Sequence, residues 1–321
     1  MINNEVILSV IIPTYNHESY IAECIKGLLM QKINFQIEVI IGDDCSTDNN
    51  QNIIKDQISK NKDSLKTFHY IFHKENLSQP PNIPGKLNFL SCLEKAKGKY
   101  IHIYEGDDYW IDPYKLQKQV DFLEANPEYA VCFHDVNIFN QTKQAFEEDI
   151  ITQKVPPTTT LIDLAKRNYI HTPSMIFRNY ITPLPNWFVN TPVGDYPILC
   201  LAALTGKIYK LNEEMAVYRV HDAGAMSAIK KQNLSQKIVF NDGMYPFYSY
   251  MYKKSGIKTF QKKAISCINV NRNYALQEKQ YALAKQYAKK ALNHYFFQLT
   301  LPQLLGNILV LINPKLVKKI Q

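Results

Sequence analysis

The chain has 321 residues, 46% of them hydrophobic, and a net charge of +8. That length buries one large domain, or one domain with an appendage, and only eleven glycines exclude a fibrous or low-complexity chain. The charge is uneven: from Met251 to Gln321 thirteen bases meet one acid, a net of +12, while the first 250 residues carry 24 bases and 28 acids, a net of −4. An acidic front and a basic tail suggest two jobs.

The six cysteines, Cys24, Cys45, Cys92, Cys132, Cys200 and Cys267, include no CxxC ligand pair, and several stand in apolar runs. They read as reduced, buried thiols. The first stretch, "MINNEVILSVIIP", has neither a basic leader nor a small-residue cleavage site and reads as a strand. The longest apolar run of the tail, Leu304 to Ile312, is about half of what a membrane-spanning helix needs. A cytoplasmic chain that does not cross a membrane is the expectation.

In chain order, "VILSVII" (Val6 to Ile12) is a continuous β-branched run, as in a strand buried on both faces. "PTYN" closes it. A helix follows over 17–31, with apolar residues at Tyr20, Ile21, Cys24, Ile25, Leu28 and Leu29. "IEVIIG" (Ile37 to Gly42) is a second buried strand and runs into the polar turn "DDCSTDNN". Then come a helix, the strand "FHYIFH", a helix over 86–97 and the strand "YIHIY". This alternation predicts an α/β fold: a Rossmann-like, mostly parallel sheet with helices on both faces. After Pro113 the spacing predicts a helix over 114–127, a strand over 129–136, a helix over 160–170, a strand at "SMIFR" and a helix opened by "GDYP". "KIYKLNEEMAVYRVH" (207–221) reads as a short hairpin. From about Gln232 the chain is helical, and "YALQEKQYALAKQYAKKAL" resembles one tetratricopeptide-type hairpin without a repeat array. Two domains are expected, residues 1–230 and a basic helical C-terminal region over 231–321.

Ligands of such sheets bind at the carboxyl ends of the strands. Three polar clusters stand there: "PTYN" after the first strand, "DDCSTD" after the second and "EGDD" after the fourth. The chain has no GxGxxG and no GxxxxGK[ST], so a diphosphate must be neutralised by something other than glycine-rich backbone. A divalent cation held by carboxylates is the obvious means, and Asp107 and Asp108 fit that role. Capping of the next helix is the plain alternative for them. For Asp43, Asp44, Ser46 and Asp48 the alternative is an Asp/Ser turn, against a carboxylate accepting from a nucleobase or ribose. Tyr15 could stack on a base or pack as a rim aromatic. Asp195 in "VGDYP" could be a general base or a helix cap. His221 could be a hydrogen-bonded surface histidine or a metal or phosphate contact.

Together "SVIIPTYNHESYI", "EVIIGDDCSTD", "GKYIHIYEGDDYWIDPYKLQKQVDFLEANPEY", "GDYP" and "YRVH" resemble, in order and spacing over roughly residues 5–230, the family 2 glycosyltransferases of GT-A fold. The "EGDDYW.DP.KL.KQ" run is similar to a bacterial branch found among surface-polysaccharide enzymes. The resemblance implies an inverting, metal-dependent transfer from a nucleotide-diphosphate sugar, a UDP-sugar first, to a hydroxyl of a saccharide or lipid-linked acceptor. It implies that Pro13, Tyr15 and Asp44, with Asp43 beside them, bind the nucleobase. Asp107 contacts ribose or metal, Asp108 coordinates Mn²⁺ or Mg²⁺, Asp195 is the base, and His221 lies near diphosphate and metal. Two positions depart from the family pattern: Glu105 replaces the first Asp of the common "DAD", and Cys45 replaces the usual Gly of "DDGS".

Two rival functions use the same residues. A metal-dependent nucleotide-sugar phosphohydrolase would need no acceptor, and a non-catalytic nucleotide-sugar-binding scaffold would show no turnover. A nucleic-acid partner is disfavoured by the acidic front and the lack of any such motif. The tail, "LPQLLGNILVLINPKLVKKI", reads as an interfacial helix for peripheral membrane contact, or as a helix packed on the domain.

Overall fold

The computed structural model describes residues 5–78, 83–152, 154–222, 224, 227, 229, 231–315 and 317. Two compact units divide the chain: 1–184 with 193–222, and 185–192 with 223–321.

The first unit is built on one mixed sheet. In chain order its elements are β1 (Val6–Thr14), α1 (Ile21–Leu29), β2 (Gln36–Asp43), α2 (Asn50–Ser59), β3 (Lys66–Phe72), α3 (Lys86–Lys95), β4 (Tyr100–Ile103), β5 (Tyr109–Trp110), α4 (Lys115–Ala125), β6 (Tyr129–Asn140), β7 (Ala145–Glu147), β8 (Thr158–Thr159), α5 (Leu161–Lys166), β9 (Ile176–Arg178), α6 (Asp195–Ala202) and β10 (Lys207–Val220). Strand order is β3-β2-β1-β4-β9-β6-β10-β5. β1, β2, β3 and β4 run parallel, β10 is parallel to β6, and β9 and β5 are antiparallel to their neighbours.

The period of two in the strands sorts the helices. Leu8, Val10, Ile12, Ile37, Val39 and Ile41 face α1, α2 and α4, whose Cys24, Leu28, Ile54, Leu116 and Val120 complete one buried cluster. On the opposite face Gly42 lies under α3, where an added Cβ would sit 2.3 Å from Asn88 Oδ1 and 2.5 Å from Cys92 Sγ. Only a glycine lets α3 approach that closely.

The segment 207–221 is not the hairpin its sequence predicts. It is one strand, β10, parallel to β6, with its register shifted between Leu211 and Glu214 and between Glu214 and Ala216. The polar residues Asn212, Glu213 and Glu214 that resemble a turn are an exposed bulge in that strand.

The second unit contains α7 (Leu234–Ser255), α8 (Lys258–Gln277), α9 (Tyr281–Tyr295) and α10 (Leu301–Ile312). Asn233 with Gln236 and Thr300 with Gln303 form capping boxes that start α7 and α10. The segment 185–192 crosses α7 at Gly243, where a Cβ would meet Asn190 O at 2.6 Å. Val310 on α10 joins Ile238, Ile268, Ala288 and Ala291 in the core of this unit, and Asn307 accepts from Arg272 Nη1 at 2.7 Å. Among the described residues no helix is long and apolar enough to cross a membrane.

Candidate active site

The residues 104–110 form a loop pinned at both ends. Tyr104 and Trp110 stack with ring centroids 3.9 Å apart and planes 11° from parallel. Tyr104 OH donates to Cys24 O (3.1 Å) and accepts from Trp110 N (3.0 Å), and Trp110 Nε1 donates to Pro173 O (3.2 Å). Gly106 lies where a Cβ would be 2.8 Å from His17 Nδ1 and 2.9 Å from Thr14 Oγ1. This close approach brings the acidic loop against the end of β1.

The loop aims three carboxylates at one point. One oxygen each of Glu105, Asp107 and Asp108 lies within 4.8 Å of the others. Neither Asp107 nor Asp108 caps a helix, since α4 begins at Lys115 after Tyr114. Asp108 is 1% exposed; its Oδ1 accepts from Arg219 N at 2.8 Å, while its Oδ2 is buried with no hydrogen-bond partner. Asp107 Oδ2 takes His221 Nε2 at 2.9 Å, and its Oδ1 is likewise buried without a partner.

The charges are strained accordingly. Burial, then the charges of Asp107 and Glu105, push the Asp108 carboxyl well above its ordinary range. Burial, then Asp107 and Asp195, raise Glu105 to about 8. Burial would raise Asp107 too, but the His221 hydrogen bond and the charges of His17 and His221 hold it below its ordinary value. Buried carboxylate oxygens that lack donors are what a hard divalent cation binds. The three residues fit such an ion by donor chemistry, by convergence and by those two unpartnered oxygens.

Arg219 secures the loop from β10. It is 7% exposed, its Nε donates to Asp107 O (2.8 Å), its Nη1 to Gln141 Oε1 (2.6 Å) and its Nη2 to Glu23. His221 reaches the cluster through Asp107, with its ring 4.9 Å from that of Tyr20.

The acidic loop after β2 is built differently. Asp43 accepts from Ser46 N (2.9 Å), Ser46 Oγ (2.6 Å), Asn50 Nδ2 (2.7 Å) and Gln51 Nε2 (2.6 Å). Asp44 accepts from Leu77 N (2.7 Å) and from Ser78 Oγ. Both carboxylates are buried. Pairing of β1 with β2 sets Pro13 beside Gly42 and Thr14 beside Asp43, so this turn and "PTYN" share one rim. They are laced together by Asn16 N to Ser46 Oγ (2.8 Å) and Thr47 N to Asn16 Oδ1 (2.9 Å). Pro13 is half-buried, and Tyr15 stands 41% exposed on that rim.

Asp195 is the first residue of α6, with Gly194 at the cap position. Asn168 Nδ2 donates to its Oδ2 at 3.1 Å. Burial raises the Asp195 carboxyl, against the N–H groups of Tyr196 and Asp195, the Lys86 ammonium and the Asn168 amide. Its charge in turn helps raise Glu105 and Tyr218, so it shares the field of the acidic loop.

Sequence reasoning placed Glu105 in the carboxylate cluster of "YEGDDYW" but gave it no direct role, and it missed Arg219, Asn168 and Lys86. Arg219 lay inside the quoted "YRVH" motif. Asn168 and Lys86 carry no local signal, because the partners that give them a role are 27 and 107 residues away in the chain.

Residues 9–181 match the sequence model of the family described as "Glycosyl transferase family 2". An uncharacterized protein of Mycobacterium tuberculosis is 34% identical over 224 residues, 68% of this chain and 60% of that protein. The Bacillus subtilis protein TuaG, named for teichuronic acid biosynthesis, is 27% identical over 223 residues, 68% of this chain and 81% of its own. The match thus spans only 60% of the mycobacterial relative's length. Among solved structures, Staphylococcus aureus TarS 1–349 in complex with UDP-GlcNAc superposes with a TM-score of 0.58 at 17% identity, over 96% of this chain and 79% of that one. The mannosyltransferase PcManGT of Pyrobaculum calidifontis, in complex with GDP-Man and Mn²⁺, gives 0.55 at 14% identity, over 99% and 83%. At these identities the likeness establishes the GT-A fold. With the motifs aligned along one sheet rim and the family match covering more than half of its length, the chain belongs to glycosyl transferase family 2.

Proposed function

We propose that this chain is a metal-dependent, inverting glycosyltransferase. It would move a sugar from a nucleotide-diphosphate donor, a UDP-sugar first among the candidates, to a hydroxyl of a saccharide or lipid-linked acceptor in bacterial cell-surface polysaccharide synthesis. The observation that carries the reading is the pair of buried, unpartnered oxygens, Asp107 Oδ1 and Asp108 Oδ2, converging with Glu105.

Asp107 and Asp108, with Glu105 beside them and His221 behind Asp107, would hold Mn²⁺ or Mg²⁺. The ion, when bound, supplies positive charge at the donor's diphosphate. Pro13, Tyr15, Asp43 and Asp44 form the nucleoside rim, with the exposed Tyr15 ring as the stacking surface. Asp195 takes the proton of the acceptor hydroxyl as that oxygen bonds to the anomeric carbon. The carbon–oxygen bond to the nucleoside diphosphate breaks on the opposite face, so the configuration inverts. Asn168 orients the Asp195 carboxylate, and Arg219 keeps the acidic loop in place.

The test is a thermal-shift screen of UDP, GDP, CDP and dTDP, each with Mn²⁺, Mg²⁺ or EDTA. One nucleoside diphosphate should raise the melting temperature, and EDTA should abolish the rise. No rise in any combination overturns the donor site. Turnover without acceptor dependence would instead make the protein a phosphohydrolase, and binding without turnover would make it a scaffold.

We place the chain on the cytoplasmic side, in peripheral contact with the membrane through its basic tail. On α10, Leu301, Leu305, Ile308 and Ile312 are 67%, 51%, 37% and 71% exposed at helical spacing, and Phe297 just before it is 92% exposed. Lys315 is exposed at its end, while Lys318 and Lys319 lie outside the described residues. The full chain should sediment with phosphatidylglycerol vesicles, and Leu305→Gln/Ile308→Gln should not. Absence of binding by the full chain rejects the contact.

A further inference from the structure

A buried lysine stands beside the residue read as the base. Lys86 is the first residue of α3 and is 5% exposed. That is a costly place for an ammonium. Burial strips its water, and the N-terminal end of a helix carries positive partial charge. Burial lowers Lys86 to about 8, and the Asp195 charge opposes that fall. Rules of local stability broken in this way cluster at functional sites.

The placement of the side chain is specific. Lys86 Nζ donates to Val193 O at 3.0 Å, two residues before Asp195. A Cβ placed on Gly194 would be 3.6 Å from Nζ, so the ammonium lies along the turn that leads into α6. The backbone beneath Lys86 is also fixed. Gly85 takes a left-handed conformation (φ 70°), and its N–H donates to Ser78 Oγ at 2.8 Å. Ser78 Oγ in turn donates to Asp44. The lysine is thus anchored to the nucleoside rim at one end and to the Asp195 turn at the other.

We infer that Lys86 is a positioning residue for transfer: its ammonium seats the Val193–Asp195 turn and keeps the Asp195 carboxylate in its ionised form. This rests on the reading of Asp195 as the base. The polar groups that face Asp195 are Lys86 from α3, Asn168 from the loop after α5, Glu105 from the loop after β4 and Tyr218 from β10. Glu105 is raised to about 8 and so is largely uncharged near pH 7, Tyr218 is neutral there, and Asn168 carries no charge. Lys86 is the full positive charge among them. Removing it leaves burial opposed only by the Tyr196 and Asp195 N–H groups and the Asn168 amide, so Asp195 would bind its proton at higher pH and serve less well as a base.

The experiment uses the full chain with its nucleotide-sugar donor, acceptor and Mn²⁺, and compares Lys86→Met, Lys86→Arg and Asp195→Asn. Lys86→Met should lower kcat at neutral pH about tenfold, with donor KM changed less than twofold. It should also move the acidic limb of the kcat profile upward by about one pH unit, since a neighbouring opposite charge shifts a carboxylate by about that much. Lys86→Arg keeps the charge and should recover most of kcat and the original limb. A Lys86→Met enzyme with wild-type kcat and an unmoved limb overturns the inference. So does Lys86→Arg failing as badly as Lys86→Met, which would mark a purely packing role and also decides the matter if Lys86→Met is too unstable to assay. Asp195→Asn separates the two levels. If it still transfers, the base reading itself is wrong; if it is inactive while Lys86→Met behaves as wild type, only the role of Lys86 falls.

Discussion

Two acidic loops lie on the same rim of one sheet, and they have opposite bonding states. In the loop after β2, the four carboxylate oxygens of Asp43 and Asp44 are taken by side chains and backbone of the protein itself. In the loop after β4, Asp107 and Asp108 each keep one buried oxygen with no donor, beside a third carboxylate. Burying a carboxylate is costly unless donors or a cation compensate. The first loop is compensated within the fold, so the rim proposed for the nucleoside is braced before any ligand arrives. The second lacks that compensation on Asp107 Oδ1 and Asp108 Oδ2, which is why the cation is proposed there.

The largest expected effect tests the second loop. Asp108→Asn keeps the Oδ1 acceptor for Arg219 N and removes the charge. Transfer should fall by about 10²–10³-fold, and the EDTA-sensitive thermal shift should vanish. The melting temperature without metal should hold or rise, because an unpaired buried charge has gone. A loss of metal-free stability comparable to the loss of activity would mean that Asp108 is scaffold, and the contrast between the loops would collapse.

Next in size is the converse test on the first loop. Asp43→Ala strands four donors, two of them side-chain amides. It should cost about 3 kcal/mol in urea unfolding. A variant of unchanged stability that no longer binds nucleotide would make Asp43 a ligand rather than a brace.

A third carboxylate belongs with the satisfied kind. Asp149 accepts from Ile151 N (2.8 Å), from the Thr152 hydroxyl and from His171 Nε2 (3.2 Å). Burial would raise it, but the hydrogen bonds from His171 and Thr152, the His171 charge and the Ile151 N–H outweigh burial and bring it down to about 2. Its folded-state value lies below its unfolded value. The stability it contributes is therefore complete above about pH 4 and lost as the pH falls from about 4 to 2. Asp149→Asn should remove about 2 kcal/mol at pH 7 and flatten that part of the stability–pH curve. An unaltered curve between pH 2 and 4 would show that Asp149 is not so held.

Much of this was legible before the structure. β1, β2 and β4 are read from apolar runs because parallel strands covered on both faces need them, and their carboxyl ends then locate the rim. The bonding state of each carboxylate was not legible. Asp43 and Asp108 look alike in sequence, and what separates them is the arrival of Gln51 at the one and of Arg219, 111 residues away, at the other. The "KL.KQ" signature was legible as a motif but not as a function. Lys115 and Gln119 are fully buried, Lys115 Nζ lies 4.5 Å from the Trp110 ring centroid and 2.8 Å from Gln119 Oε1, and Gln119 Nε2 donates to Cys132 O and Ser174 O. The motif braces Trp110 and, through its stack on Tyr104, the acidic loop. The bulge in β10 was misread because exposed polar residues inside a strand mimic a turn when the partner strand is unknown.

The smallest effect sharpens the contrast from the side of backbone strain. Cys45, between Asp44 and Ser46, has φ 61°, in the left-handed region that costs a side-chain-bearing residue about 1 kcal/mol or more and glycine almost nothing. The family's usual glycine at this position has a physical reason, and this chain does without it because the turn is held by other means: Asp43 fixes Ser46, Asn50 and Gln51, and Asp44 N donates to Thr14 O at 3.1 Å. Cys45→Gly relieves the strain but frees the unfolded chain, and the two effects oppose each other. The net gain in urea unfolding should therefore be under about 1 kcal/mol, with transfer unchanged. A clear loss of stability would show that the half-buried thiol packs better than the strain costs, and that the first loop depends on its side chains even at the position where the backbone would prefer none.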